Sequence, residues 1–216
     1  MTVAIIDYGS GNLRSVAKAF RKAAAGSDRG QAVTVTAEPN ELRTAAHIVL
    51  PGVGAFAECM EGLQSMDGMR ESLDEQVAKA GKPFLGICVG MQLMAESGHE
   101  HTVTPGLGWL SGRVVPLAPI FDDRPLKVPH MGWNQLVPTS DAHPILDGIE
   151  PGSHVYFVHS YQMRLERPDA LLATTDYGGS VTAVVGRDNL IGTQFHPEKS
   201  QANGLRLIRN FLDWRP

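Results

Sequence analysis

Apolar runs of strand length alternate with stretches of helical spacing through the first half of this chain, and that alternation limits its fold more than any other feature. Residues 3–7 form a short apolar run closed by Gly9-Ser10-Gly11, and residues 12–25 place Leu13, Val16, Ala17 and Phe20 at helical spacing. Residues 26–30 are a polar break, 32–37 alternate as a strand, and 47–50 are a further apolar run ended by Pro51-Gly52-Val53-Gly54. A long helical stretch over 69–79 ends at Gly81 and leads into a strand over 83–87. Strands that alternate with helices predict βαβ units and a mainly parallel central sheet flanked by helices, an α/β fold.

Beyond about residue 100 the texture changes. Residues 108–117, 127–137, 155–165, 171–175 and 181–193 read as strands separated by Pro, Gly and Asp turns, which suits antiparallel additions to that sheet. Residues 206–211 lie in an amphipathic C-terminal helix with Leu205, Leu207, Ile208 and Leu212 inward. No linker, internal repeat or low-complexity tract divides residues 1–216, so a single domain is the economical reading.

The chemistry is concentrated in two short motifs. Gly86-Ile87-Cys88-Val89-Gly90 follows the apolar Pro83-Phe84-Leu85 and precedes a helical pattern over 91–95. Strand, sharp turn and helix in that order lift a nucleophile out of a sheet, here with Cys where Gly-x-Ser-x-Gly has Ser. A helix N-terminus favours thiolate, and the Val89 N–H is placed to hold a tetrahedral oxyanion. A buried Cys is also an ordinary small core residue, so the pentapeptide by itself leaves both readings open. Far downstream, Phe195-His196-Pro197-Glu198 supplies an imidazole to move a proton and a carboxylate to orient it. Taken alone that also reads as a solvated turn histidine beside a helix-starting acid. The two motifs together read as a Cys88-His196-Glu198 triad, with contact between His196 and Glu198 an expectation about geometry.

Three further segments are candidates. The glycines of Pro51-Gly52-Val53-Gly54 would let backbone N–H groups turn towards an oxyanion, or merely close a strand. Gln92 sits one helical turn beyond Cys88, placed either to bond a polar substrate or to cap an exposed face. His159-Ser160-Tyr161 ends an apolar strand as a substrate clamp or a plain turn. His99, His101, His130, His143 and His154 show no metal-ligand spacing, Cys59 and Cys88 are not a CxxC pair, and no metal or cofactor is expected. Gly9-Ser10-Gly11 is too short for a dinucleotide fingerprint and lacks the Lys-Ser/Thr end of a phosphate loop.

Composition narrows the class. A formal net charge of −4 gives no footprint for nucleic acid or an anionic membrane, and no segment approaches the ~20 apolar residues of a membrane span. Two cysteines form no disulfide framework, and a needed thiolate suits a reducing compartment. The first residues lack a basic n-region, so no signal peptide is expected and the cytoplasm is the expected location.

Longer stretches carry a resemblance. They are Ile6-Asp7-Tyr8-Gly9-Ser10-Gly11-Asn12-Leu13-Arg14-Ser15, Leu50-Pro51-Gly52-Val53-Gly54-Ala55-Phe56, and Gly86-Ile87-Cys88-Val89-Gly90-Met91-Gln92. Downstream they are Pro129-His130-Met131-Gly132-Trp133-Asn134, Tyr156-Phe157-Val158-His159-Ser160-Tyr161, and Gln194-Phe195-His196-Pro197-Glu198-Lys199-Ser200. With these the chain resembles the class I, triad-type glutamine amidotransferases. Within them it resembles the glutaminase subunits that serve imidazole glycerol phosphate synthesis in the histidine pathway. The polar stretch 26–31 is longer than is usual there.

The resemblance implies a flavodoxin-like fold and hydrolysis of glutamine to glutamate and ammonia by Cys88, His196 and Glu198. It also implies Gly52, Val53 and Val89 as the oxyanion hole, and Gln92, Ser160 and Tyr161 at the substrate. The implied partner is a (β/α)8-barrel cyclase in a heterodimer, faced by Asn12, Trp133, Tyr156 and Lys199, which would receive the ammonia. Its products would be imidazole glycerol phosphate and an aminoimidazole carboxamide ribotide. Glutaminases of anthranilate, guanylate or pyridoxal phosphate synthesis would lack the Pro129–Asn134 segment. A non-enzymatic flavodoxin-like binding module would have no need of the whole triad, and a cysteine peptidase would cleave peptides rather than glutamine.

Overall fold

In the computed structural model, residues 1–26, 30–139 and 143–216 are described. Residues 27–29 of the polar break lie outside that set. The first half contains β1 (Thr2–Ile6), α1 (Leu13–Ala25), β2 (Ala32–Thr36), α2 (Pro39–Thr44), β3 (His47–Gly52) and α3 (Phe56–Gln64). It continues with α4 (Met69–Leu73), prolonged through Lys79 by a wider π-type turn, then β4 (Phe84–Cys88) and the short α5 (Val89–Gln92). The second half contains β5 (Ala95–His99), β6 (Val103–Pro105), β7 (Leu110–Pro116), β8 (Ile120–Phe121), β9 (Arg124–Pro125), β10 (His130–Gln135) and β11 (Val137–Pro138). After these come β12 (His154–His159), β13 (Tyr161–Leu165), β14 (Leu171–Asp176), β15 (Ser180–Arg187), β16 (Leu190–Thr193) and α6 (Gln201–Asp213).

The main sheet has eight strands in the order β11-β14-β15-β16-β4-β3-β1-β2. β2, β1, β3, β4 and β16 run parallel, while β15, β14 and β11 extend the sheet antiparallel. Four of the parallel strands follow the 2-1-3-4 order of a flavodoxin-like sheet, with β16 in the fifth place. β3 and β4 are buried along their whole length, as apolar runs without alternation require when helices cover both faces. The apolar faces of α1 and α6 pack through Phe20 and Phe211, whose rings meet edge to face at 6.4 Å. A four-stranded sheet, β13-β7-β5-β6, and the ribbon β10-β12 are hydrogen-bonded separately from the main sheet.

Three sequence expectations need correction. The helical pattern over 91–95 yields only one turn, because the carbonyls of Leu93, Met94 and Ala95 accept the N–H groups of Leu107, Gly108, Trp109 and Leu110. That competition carries Ala95 into β5. The strand read over 155–165 divides at Ser160, with β12 pairing with β10 and β13 with β7. The run 181–193 is a hairpin turning at Asp188, whose φ is 52°, and its second arm comes to lie parallel to β4.

Gly90 fixes how closely the elbow sits on the sheet. A Cβ there would lie 1.8 Å from the Leu50 carbonyl oxygen, a backbone atom of a fully buried strand with no room to retreat. Gly90→Ala is therefore expected to cost about 3 kcal/mol, lowering the melting temperature by about 6–12 °C in a thermal melt. An unchanged Tm would show that the elbow can lift off the sheet.

Candidate active site

Register alone brings the candidate groups together. Gly52 at the end of β3 pairs with Cys88 at the end of β4, and Thr193 at the end of β16 pairs with Ile87. Three neighbouring parallel strands thus deliver the Gly52-Val53 loop, the Cys88 sulfur and, three residues past β16, the His196 ring to one crevice. The carboxyl edge of an α/β sheet is where such a crevice forms.

Cys88 has φ 55° and ψ −111°, a conformation that L-residues rarely adopt. The strain, of order 1–3 kcal/mol, turns the side chain out of the sheet at the N-terminus of α5. Gly86 makes the turn possible, since a Cβ there would lie 2.6 Å from the Gly90 carbonyl oxygen. The sulfur lies 3.7 Å from Gln194 Nε2 and 3.9 Å from the Val158 carbonyl oxygen.

His196 is reached through its own scaffold. Its N–H donates to the Tyr156 carbonyl at 2.9 Å, and Ser200 Oγ donates to its carbonyl at 2.7 Å. Pro197 then starts a single 3-10 turn to Lys199, which curls Glu198 back under the ring. Two residues only two apart meet for that reason: His196 Nδ1 donates to Glu198 Oε1 at 2.9 Å, with the side chains 3% and 1% exposed. With Nδ1 so engaged, Nε2 is the nitrogen left for the Cys88 sulfur, with which the ring also bonds. Burial pushes the His196 imidazolium down, but Cys88 and Glu198 outweigh it and raise its pKa to about 9.

These groups face a cavity of about 310 Å3 lined by Cys88, Val89, Gln92, Ser160, Tyr161 and His196, together with Val53 and Lys199. Gly52 is not in the lining, and Glu198 stands behind the imidazole, on the wall of a neighbouring groove beside Lys18 and Lys22. Gln92 is buried, donating to the Tyr161 carbonyl at 3.1 Å and to Gln194 Oε1 at 3.0 Å, so it shapes the wall rather than capping an exposed face. The Val53 N–H donates to Ser10 Oγ at 3.1 Å. Ser10 Oγ at 2.6 Å and Cys59 Sγ at 3.3 Å both donate to the Val53 carbonyl. In this conformation, then, Val53 does not offer its N–H to the pocket, whereas Val89 opens the first turn of α5.

The four residues expected at a partner face divide. Trp133 pairs with Tyr156 across the β10-β12 ribbon, their rings 5.9 Å apart, and Lys199 Nζ sits 5.7 Å from the Tyr156 ring centre. Trp133 is 46% exposed. Asn12 is exposed where α1 begins and makes no contact with that cluster among the bonds described. Sequence reasoning missed Gln194, Ser10 and Glu100, which accepts the Phe56 N–H at 2.7 Å. A polar Gln194 between Thr193, which ends β16, and the buried Phe195 was the available signal.

A strained Cys at a strand–helix elbow, an imidazole on its sulfur and a buried carboxylate behind that ring can together perform acyl transfer through a thioester. The family model described as glutamine amidotransferase class-I matches residues 4–214, and the chain belongs to that family. It is 56% identical over 216 residues to the imidazole glycerol phosphate synthase subunit HisH of Rhodospirillum rubrum, covering all of both chains. It is 55% identical over 219 residues to the protein of the same name from Rhodopseudomonas palustris, again over both full lengths. Both relatives are thus named as subunits of a larger synthase.

Among solved structures it is similar to a glutamine amidotransferase from Thermotoga maritima, with TM-score 0.61 and 18% identity over 99% of this chain and 83% of that one. Another crystal structure of a glutamine amidotransferase gives TM-score 0.71 and 19% identity over 98% and 97%. At these identities the two structures speak to the fold alone.

With His196 as proton donor, its raised pKa would set the alkaline side of the pH profile. Below about 9 the ring is protonated, and above it that proton is lost. Activity should therefore fall with a midpoint near 9 rather than near the ordinary value of 6.5, read as kcat/KM for glutamine against pH. Glu198→Gln removes one of the raising charges and should move that midpoint down. His196→Asn should cost far more activity than Glu198→Gln, because it removes the proton carrier itself.

Proposed function

We propose that this chain hydrolyses glutamine as the glutaminase subunit of imidazole glycerol phosphate synthase, with Cys88, His196 and Glu198 as its triad. The observation that carries the reading is the strained Cys88 elbow bonded to an imidazole that Glu198 holds at 2.9 Å. The Cys88 thiolate attacks the carboxamide carbon, and His196 gives its proton to the departing ammonia, leaving a glutamyl thioester. Water then attacks the thioester, His196 takes the water's proton, and glutamate leaves as the thiolate re-forms. Ser160, Tyr161 and Gln92 shape the glutamine site, and Gly52, Val53 and Val89 stabilise the oxyanion. The ammonia passes to a (β/α)8-barrel cyclase, in a heterodimer that Asn12, Trp133, Tyr156 and Lys199 face. The cyclase uses it to make imidazole glycerol phosphate and an aminoimidazole carboxamide ribotide. The cytoplasm is the proposed compartment, and residues 1–216 are proposed to act as one domain.

Cys88→Ala should abolish glutamine-dependent synthesis while leaving synthesis from added ammonia intact, because the cyclase chemistry resides on another chain. Near-normal glutaminase activity in that variant would sink the role of Cys88.

The Gly52-Val53 peptide supplies the control. With the Val53 N–H on Ser10 the oxyanion lacks one donor, and one donor is worth roughly 10²–10³ in rate. A cyclase carrying its nucleotide activates by binding the conformer with that N–H turned inward more tightly than the resting one. Glutaminase turnover is expected to be weak in the free chain and to rise by about that factor in the nucleotide-bound complex. Steady-state rates for the free chain, the binary complex and the nucleotide complex test this; equal rates in all three reject the switch and spare the triad.

A further inference from the structure

Behind the 158–161 wall of the pocket runs a one-way chain of hydrogen bonds that the chemistry above does not use. His159 is buried, and its Nδ1 lies 2.8 Å from the Tyr161 carbonyl oxygen. A carbonyl only accepts, so Nδ1 carries the hydrogen and the neutral ring leaves Nε2 as an acceptor. His130 Nδ1 stands 2.9 Å from that Nε2 and must donate to it. The lone pair on His130 Nε2 then receives Asn134 Nδ2 at 3.2 Å, while Asn134 also donates to the Asp176 carbonyl at 2.8 Å. The direction is thus set along the whole chain, from Asn134 to the Tyr161 carbonyl.

The same carbonyl takes a second donor, Gln92 Nε2 at 3.1 Å, and Gln92 connects through Gln194 to the Cys88 sulfur. The His130 ring is 2% exposed and stacks on Phe157 and Tyr177, with centres 4.7 and 4.0 Å away. Burial holds both imidazoles neutral, with pKa values of about 4. Two imidazoles buried side by side are costly unless every nitrogen finds its partner, and here each does.

We propose that His130 and His159 are positioning residues for the substrate: acting through the Tyr161 carbonyl, they hold the main chain of residues 158–161 in the shape that receives glutamine and tie it to the strand bearing Trp133. The proposal rests on the glutamine reading above. His130→Phe keeps a ring to stack on Phe157 and Tyr177 but removes the donor to His159. His130→Asn keeps a donor at the position of Nδ1.

Steady-state kinetics in the cyclase complex should show glutamine KM raised about five- to tenfold in His130→Phe, the worth of one net hydrogen bond, with kcat changed less than about threefold. Inactivation by a glutamine-shaped diazoketone should slow by the same factor, while alkylation of Cys88 by iodoacetamide stays at the wild-type rate. His130→Asn should recover most of the KM. A folded His130→Phe variant with wild-type KM overturns the proposal, and so does His130→Asn impaired as badly as His130→Phe. A parallel loss of iodoacetamide reactivity also overturns it, since the effect would then lie on the thiol. Should His130→Phe not fold, nitrogen NMR of the wild-type imidazoles decides: both rings are expected as the Nδ1–H tautomer, and an Nε2–H tautomer in either overturns the chain of bonds. Wild-type protein that neither hydrolyses glutamine nor reacts with the diazoketone defeats the glutamine reading itself, a result distinct from all of these.

Discussion

The positive φ of Cys88 is the constraint on which the rest of the site depends. A residue with a side chain stays in that conformation only where its flanks leave it no alternative. On one side, β4 is locked between β3 and β16, buried along its length and paired in parallel with both. On the other side, α5 begins at once, and Gly90 lies so close to the Leu50 carbonyl that only a hydrogen fits between them. Relaxing Cys88 to ordinary strand geometry would swing its sulfur back towards the sheet. It would also pull α5 off β3, so local strain and tertiary packing oppose each other at one residue. The same register that resists relaxation brings Gly52 level with Cys88, and so places the loop after β3 beside the sulfur.

Three buried histidines, His196 on the sulfur and then His159 and His130 behind the pocket wall, form one coupled shell, and the protein drives them in opposite directions. Among the described residues no anion raises His159 or His130, and burial lowers both to about 4. His196 is buried as well, yet Cys88 and Glu198 raise it to about 9. The environments rather than the side-chain type therefore divide the work. One ring can carry a proton at neutral pH, and two are fixed as neutral hydrogen-bond relays. His159 sits under the repulsive influence of both His130 and His196, which further disfavours a second charge in the shell.

Much of this was legible in the chain. The parallel strands read as apolar runs between glycine-rich turns because burial on both faces removes alternation. The elbow and the His-Pro-Glu motif announce themselves because strained turns demand particular residues. What could not be read locally was settled by distant partners. Leu93, Met94 and Ala95 have helical spacing, but the N–H groups of residues 107–110 claim their carbonyls and draw the chain into β5. His159-Ser160-Tyr161 reads as a strand end within the run 155–165, but nothing local says that the chain leaves one sheet for another there. The contact between His196 and Glu198 depends on a single turn whose existence follows from Pro197 but whose direction follows from Tyr156 and Ser200. Gln194 and Ser10 matter through neighbours more than forty residues away, and no spacing rule reaches that far.

The two walls of the pocket are built to different standards of rigidity. On the 158–161 side the bonds behind the main chain are directional and at least partly buried, so moving the Tyr161 carbonyl would strand two donors, His159 Nδ1 and Gln92 Nε2, each at a cost of about 1–3 kcal/mol where it is left unmet. On the opposite side the Val53 peptide is held through the exposed hydroxyl of Ser10, with Val53 itself 43% exposed. A hydroxyl both donates and accepts, so Ser10 can serve either orientation of that peptide, and water can replace whatever bond is lost. The net worth of such a solvent-facing bond is about 1 kcal/mol, so the two orientations lie within reach of a modest difference in binding energy. On the proposed reading, a wall fixed to the shape of the substrate would keep specificity constant, while an opposite wall that turns an N–H inward would let the rate be controlled from outside.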